Sequence, residues 1–351
     1  GHIRAMCEQA RHHVSIDQRK LDAQSSLINA RGRVVDLRTG EVRPIKRQDY
    51  ITKSVGTDYD VSAQCPQFEA FLDRAMDGSK ELISYLQRAV GYSLTGDTRE
   101  QCFFIAHGSG ANGKSVFLNL IGKLMGQYAL TTPMNSLVNG KTNSGASNDI
   151  ARLRGSRFVF ASEAEANQKI KDSLIKQLTG GDSISARFLF QEYFEFIPSF
   201  KLWMATNHKP RFSGDDPAIW RRIHLIPFNV VIPVKEQDRE LCSKLETELP
   251  GILNWAIQGS VDWYRKGLVR PSAVQAATQQ YQSEMDGFSR FFDDGSIIKK
   301  IGGWVAKAEL FLAYSQFCSD EGIEALSKKE FGARVKTKGY GEGRRNKVRY
   351  W

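Results

Sequence analysis

Hydrophobic spacing divides this chain into segments of different period. Residues 33–40 (RVVDLRTG) alternate and then turn, which predicts a short strand. Over residues 66–95 apolar positions recur at helical spacing: Phe68, Phe71 and Leu72, then Leu82, Tyr85, Leu86, Ala89 and Val90. Gly91 and Gly96 are expected to stop that pattern. From about residue 97 to 260, short apolar runs alternate with amphipathic stretches. The runs 102–106, 157–162, 200–206 and 223–228 read as buried strands. Residues 116–125 read as a helix, with Phe117, Leu120, Ile121 and Leu124 on one face. Such alternation predicts an α/β domain with a mostly parallel sheet covered on both faces.

Residues 275–286 are polar and read as a connecting helix. Near the end, Leu310, Phe311, Tyr314 and Phe317 mark one amphipathic helix. Ser327 is placed to cap a second, carrying Phe331 and Val335. A glycine-rich turn at 339–343 leads into an alternating strand at 347–351. Helix, helix and hairpin together resemble a winged helix. The expected organisation is a mainly helical N-terminal domain (7–96), an α/β core (97–260), a linker (261–287) and a winged-helix-like basic domain (288–351). Residues 1–6 (GHIRAM) read as a remnant of recombinant expression and are set aside. The natural chain is therefore expected to extend further N-terminally.

Charge sharpens the picture. The chain carries 49 Lys and Arg against 39 Asp and Glu, a net +10, which points to a polyanionic partner. Residues 328–351 hold nine of the bases (Lys328, Lys329, Arg334, Lys336, Lys338, Arg344, Arg345, Lys347, Arg349) and only two acids. Phosphate contact by Lys328, Lys329, Arg344 and Arg345 to duplex or forked DNA is the expectation there. No apolar run is long enough to span a bilayer, so no membrane partner is expected. The five cysteines are scattered without a C-x-x-C pair, which predicts free thiols in a reducing cytoplasm.

The chemistry begins at Gly108-Ser109-Gly110-Ala111-Asn112-Gly113-Lys114-Ser115, which fits G-x-x-x-x-G-K-[ST] in full. Its small residues let successive N–H groups point at one anion. Lys114 is expected to reach the β- and γ-phosphates of ATP, and the Ser115 hydroxyl to ligate Mg²⁺. The predicted strand before it and helix after it are the context the motif requires. Past the next apolar run stand Glu163 and Glu165, as a metal-holding and water-polarising element needs, with Glu163 the first choice. Asn207 closes a third strand, where an amide can sense the γ-phosphate. Arg221 and Arg222 precede a fourth, where a guanidinium can reach a neighbouring subunit.

These segments resemble a known family. "SLTGDTREQCFFIAHGSGANGKSVFLNLIGKLMGQYA", "RGSRFVFASEAE", "KQLTGGDSISARFLF", "FKLWMATNHKPR" and "DPAIWRRIHLIPF" look like the superfamily 3 helicase part of phage and plasmid primase–helicases and of poxvirus-type replication NTPases. The resemblance covers about residues 30 to 260. It implies an AAA+-like P-loop core that forms a homohexameric ring and moves along single-stranded DNA. It places the sensor asparagine on Asn207, the arginine finger on Arg222 beside Arg221, and a basic residue contacting ATP across subunits on Lys176. It also places a DNA-gripping hairpin between residues 184 and 196, where Arg187 is expected to meet phosphate and Phe188 or Phe190 to stack on bases. A primase domain is expected on a preceding part of the chain. The expected setting is the cytoplasm of a bacterial host, with a phage or mobile element encoding the protein. An ATP-switched origin-binding or loading factor that does not unwind is the alternative.

Overall fold

The computed structural model describes all residues except 1, 14–15, 139–142, 163–167, 213–215, 294–296, 298–301, 322, 324 and 346–347. The side chains of 4, 11–13, 18, 143–147, 162 and 345 also lie outside the description. Helix α1 (His2–His13) is followed by an antiparallel sheet of β1 (Leu27–Ala30), β2 (Arg33–Asp36) and β3 (Val42–Pro44). Arg31 and Gly32, both at positive φ (45° and 100°), form the tight turn between β1 and β2. Helices α2 (Pro66–Ala75) and α3 (Lys80–Leu94) come next, separated at Asp77 and Gly78, where φ is again positive. Proline opens α2, where a missing N–H costs nothing. The Glu248 carboxylate accepts the N–H groups of Gln67 and Phe68 at 3.1 and 2.9 Å.

The α/β part comprises β4 (Phe103–His107), α4 (Lys114–Met125), β5 (Ala129–Thr131), α5 (Asn143–Arg152), β6 (Phe158–Ser162), α6 (Asp172–Gly180), a hairpin of β7 (Ile184–Ala186) and β8 (Phe194–Phe196), then β9 (Lys201–Thr206), α7 (Pro217–Trp220) and β10 (Ile223–Pro227). Its five-stranded sheet runs β10-β4-β9-β6-β5 with every pair parallel. The first of its strands, β4, is thus flanked by the last two, and the four runs expected as strands are β4, β6, β9 and β10. Helices α8 (Leu241–Thr247), α9 (Leu249–Lys266) and α10 (Ser272–Met285) complete this part.

The chain divides into two compact units: 1–211 with 218–278, and 212–217 with 279–351. No boundary falls at residue 96. Phe68, Tyr85, Leu86 and Ala89 from α2 and α3 share one buried cluster with Phe117 and Ile121 of α4, Trp203 of β9 and Ile252 of α9. The apolar stripes of α2 and α3 face partners in the α/β part, so the predicted separate N-terminal domain is part of a common core. Two buried cations tie the same seam. Arg157 donates to the carbonyls of Leu94 (2.9 Å) and Gln24 (3.1 Å), and Lys201 to that of Asp97 (3.1 Å).

Gly91 does not end α3. It lies within it because α9 crosses there: a Cβ at Gly91 would fall 2.0 Å from the backbone N of Ser260. Gly259 of α9 reciprocates, its Cβ position lying 2.0 Å from the Gln87 carbonyl oxygen. The predicted linker is also revised. Its first residues finish α9, with Val261 and Trp263 buried, and the unit boundary falls inside α10. Residues 2–6, set aside on sequence grounds, form the first turns of α1.

The second unit contains α11 (Gly287–Asp293), α12 (Lys307–Asp320), α13 (Lys328–Thr337) and the hairpin β11 (Gly343–Arg345) and β12 (Val348–Tyr350). Phe288, Phe291, Phe292, Leu310, Tyr314 and Phe331 form its core. Ser327 caps α13 as its position suggests: its Oγ accepts from Glu330 N, and the Glu330 carboxylate accepts from Ser327 N at 3.1 Å.

Candidate nucleotide site and nucleic-acid surfaces

The loop Gly108–Ser115 leaves the carboxyl end of β4, a strand internal to the sheet. Register lines up the neighbouring strand ends: His107 opposes Thr206, and Ser162 opposes Ala205. The Gly108 N–H also points to the Thr206 carbonyl at 3.4 Å. Asn207 therefore issues, exposed, beside the start of the loop. Glu163 and Glu165 lie outside the described residues, but β6 ends at the same edge. Carboxyl ends of parallel strands are where such sheets hold ligands.

Backbone conformation shapes the loop. Gly110, Ala111 and Gly113 all have positive φ (114°, 48° and 83°). Gly113 also has no room for a side chain, since a Cβ there would sit 2.7 Å from the Phe71 ring. As N-cap of α4, Gly113 supplies no side-chain acceptor, so the first-turn N–H groups stay available to a ligand. Space beside Gly110 is open, with no atom within 4 Å of where a Cβ would lie. Lys114 is 4% exposed and donates to the Gly108 carbonyl and to Asn112 Oδ1, both at 2.7 Å. Burial holds its pKa below the ordinary lysine value. Ser115 is exposed at the helix start. A glycine-bent loop at a helix N-terminus, a buried ammonium and an adjacent hydroxyl form a donor set that fits a polyphosphate with a divalent cation.

Sequence reasoning placed Asn112 in the loop without giving it a task of its own. It is 2% exposed, and its Nδ2 donates to the Phe228 carbonyl at 2.9 Å. Phe228 in turn donates its N–H to His107 at 2.7 Å. Asn112 thus bridges Lys114 to the chain just after β10. Only the polar residue in the middle of the motif hinted at this.

The two arginines before β10 differ. Arg222 is 7% exposed; its Nε donates to Thr179 Oγ1 (3.2 Å) and its Nη1 to the Ala218 carbonyl (2.6 Å). That places the expected finger, Arg222, inward on its own chain. Arg221 is exposed, with its carbonyl held by Arg270. Lys176 is half-buried on α6, one turn before Thr179.

The β7–β8 hairpin has its register centred on residue 190: Ile184 opposes Phe196 and Ala186 opposes Phe194. Phe190 lies at the tip with φ 62° and is fully exposed, and Leu189 is 60% exposed. Phe188 instead stacks on Phe194, with centroids 5.5 Å apart. Of the two candidate stacking residues, Phe190 is therefore the one presented outward. Arg187 lies 4.8 Å over the Tyr193 ring.

In the second unit, much of the basic charge is paired. Arg334 meets Asp286 (3.2 Å), Lys336 meets Glu342 (2.8 Å) and Lys338 meets Asp293 (3.9 Å). Lys328, Lys329, Arg344 and Arg349 are exposed, and the Arg345 side chain lies outside the description. No helix among the described residues is long and apolar enough to cross a membrane.

A family model described as "D5 N terminal like" matches residues 1–77, the supposed remnant included. A family of unknown function (DUF5906) matches residues 106–222. A candidate helicase of Acanthamoeba polyphaga mimivirus is 30% identical over 302 residues, covering 79% of this chain and 31% of the relative. A candidate helicase of Invertebrate iridescent virus 6 is 26% identical, covering 89% and 36%. Primase D5 of Fowlpox virus is 31% identical over 136 residues, covering 37% and 17%. The chain thus spans between 24% and 36% of the length of the first four curated relatives. Among solved structures, the apo C-terminal region of NrS-1 (305–718) matches with a TM-score of 0.56 at 13% identity, covering 91% of this chain and 82% of that one. That likeness extends to the fold alone. In its two matched segments, its P-loop on a parallel sheet and these viral relatives, the chain is similar to primase–helicases of the D5 type.

Proposed function

We propose that this chain is the ATP-driven motor of a replicative DNA helicase of superfamily 3. The observation that carries this reading is the P-loop at an internal strand's carboxyl end, with Asn207 emerging beside it and β6 ending at the same edge. The loop N–H groups and Lys114 would bind the phosphates of ATP. Ser115 and Glu163 would hold Mg²⁺, which neutralises phosphate charge when bound. Glu163, with Glu165 as the second candidate, would polarise the attacking water, and Asn207 would orient it.

Trans-acting residues imply a ring, and a homohexamer is the assembly the family resemblance suggests. Lys176 and one arginine of the pair would face the neighbouring subunit's nucleotide. Because Arg222 is engaged within its own subunit, we assign the finger to Arg221 and the anchoring of its loop to Arg222. The exposed hairpin tip with Phe190, and Arg187 at its base, would grip single-stranded DNA. The second unit, read as a winged helix, would hold duplex or fork DNA through Lys328, Lys329, Arg344 and Arg345. A primase domain would lie on another part of the full protein, and a phage, virus or other mobile element replicating in the cytoplasm would encode it.

The test is ATP hydrolysis by the full chain with and without single-stranded DNA, together with displacement of a labelled strand from a fork. Stimulated hydrolysis with displacement, both abolished in a folded Lys114→Ala variant, is the expected result. Hydrolysis without displacement would favour the loading-factor reading, and undiminished turnover by Lys114→Ala would remove the P-loop from the mechanism.

A further inference from the structure

Trp304 stands out in the second unit. Its side chain is 59% exposed, although tryptophan is the most costly residue to leave in water. It is not an isolated surface aromatic. Tyr350 of β12 lies beside it, with ring centroids 5.6 Å apart and planes tilted by 51°. Tyr350 is itself seated: its cross-strand partner is Gly343, and a Cβ there would come within 2.8 Å of the tyrosine ring. Glycine at 343 leaves the space in which the ring lies over β11. Backbone pairing fixes the support, because Trp351 donates to the Val305 carbonyl at 3.0 Å and Ala306 bridges to Tyr350. The neighbouring indole of Trp351 is covered by the Lys307 ammonium at 3.8 Å, so Trp304 is the one left open.

Charge around this pair is one-sided. The hairpin's acid, Glu342, is bound by Lys307 and Lys336, which hold its pKa down at about 2. It therefore stays ionised and neutralised by those lysines. Arg344 and Arg349 oppose each other across the hairpin and are exposed. Side chains alternate along a strand, so Arg344 and Arg349 lie on the hairpin face opposite Gly343 and Tyr350, one residue away. An open aromatic face braced by a second ring, on a hairpin whose other face carries exposed guanidinium groups, suits unpaired nucleic acid that passes over its edge: rings stack on bases while cations meet phosphates. Within a duplex each base face is covered by its neighbours, and at a blunt end the bases stay paired and cannot splay onto a side chain.

We propose that Trp304, braced by Tyr350, is a stacking site for an unpaired base of DNA, with Arg344 and Arg349 on the hairpin's other face contacting phosphates where the strand passes its edge. This rests on the DNA-binding reading above and narrows it: the β11–β12 end of the second unit distinguishes an unpaired strand from a blunt duplex.

The experiment measures binding of fluorescent DNA by anisotropy, using the full chain and three probes. These are a blunt duplex, the same duplex with a single-stranded overhang, and that overhang with abasic nucleotides. Trp304→Ala is expected to weaken overhang binding about tenfold, equal to about 1.4 kcal/mol, and to leave blunt-duplex binding unchanged. Trp304→Phe should restore most of the loss. The abasic overhang should bind wild type about as weakly as the intact overhang binds Trp304→Ala, with no further loss when the two changes are combined. Arg349→Ala should lower the salt dependence by about one unit of slope, while Trp304→Ala leaves that slope alone. Equal losses on all probes, or no loss on the overhang, would overturn the proposal. So would a changed oligomeric state of Trp304→Ala with DNA binding intact, which would make the patch a protein contact. If wild type binds none of the probes, the DNA reading of the unit fails and this site with it.

Discussion

Replacing Asn112 by alanine isolates the bridge between the P-loop lysine and β10. The change deletes a neutral hydrogen bond to Phe228 (2.9 Å) and a charge-assisted one from Lys114 (2.7 Å). A neutral bond contributes about 1 kcal/mol net and a charge-assisted one about 1.5–3 kcal/mol. At 2% exposure water does not readily replace either. Lys114 keeps only the Gly108 carbonyl among its protein partners. The expected destabilisation is about 2–4 kcal/mol, or roughly 4–7 °C in melting temperature for a unit of this size. Asn112→Asp keeps the acceptor but turns a second oxygen toward the Phe228 carbonyl, and it neutralises the lysine. It should cost nucleotide affinity nearly as much as Lys114→Ala. The assay is calorimetric titration with ADP and Mg²⁺ on Lys114→Ala, Asn112→Ala and the double variant, with thermal melts alongside. If Asn112 acts through the lysine, the double variant binds no more weakly than Lys114→Ala. Additive losses of affinity, or an unchanged melting temperature in Asn112→Ala, would refute the reasoning.

Three further expectations follow from the packing and the charges. Gly259→Ala drives a Cβ to 2.0 Å from the Gln87 carbonyl, so α3 and α9 must separate; a loss of several kcal/mol, about 3 or more, should appear as a sharply lower melting temperature, and a wild-type melt would contradict the close crossing. Arg222→Ala should destabilise by about 2 kcal/mol through its lost buried bonds, whereas Arg221→Ala should melt normally and lose on the order of 10³-fold in ATP turnover; the reverse pattern would return the finger to Arg222. Asp49 accepts from Arg43 at 2.6 and 2.9 Å and from Lys46 N at 2.7 Å, which lowers its pKa from 3.8 to about 2. A carboxylate depressed on folding stabilises above its unfolded pKa, so the melting advantage of wild type over Asp49→Asn should hold above pH 4 and fade toward pH 2; a constant difference across that range would show that ionisation is not its source.

What could be read from the sequence was local. The phosphate loop is eight contiguous residues whose backbone freedom and lysine are written in their identities. The apolar runs of β4, β6, β9 and β10 need burial on both faces, whichever strands they pair with. Ser327 and Glu330 form their capping box within one turn of chain. Residues that act across large separations were not legible. Asn112 finds Phe228 across 116 positions, and Gly91 is a helix crossing only because Ser260 arrives against it. Arg221 and Arg222 are equal in sequence, and Thr179 decides which one is held inward. Phe188 and Phe190 likewise differ only once the hairpin register turns one onto Phe194 and the other outward. Composition and spacing determine which segments become helix, strand or phosphate loop, because those preferences are satisfied within a few residues. Which side chain is left free to act depends on what the fold brings against it, and only the tertiary structure decides that.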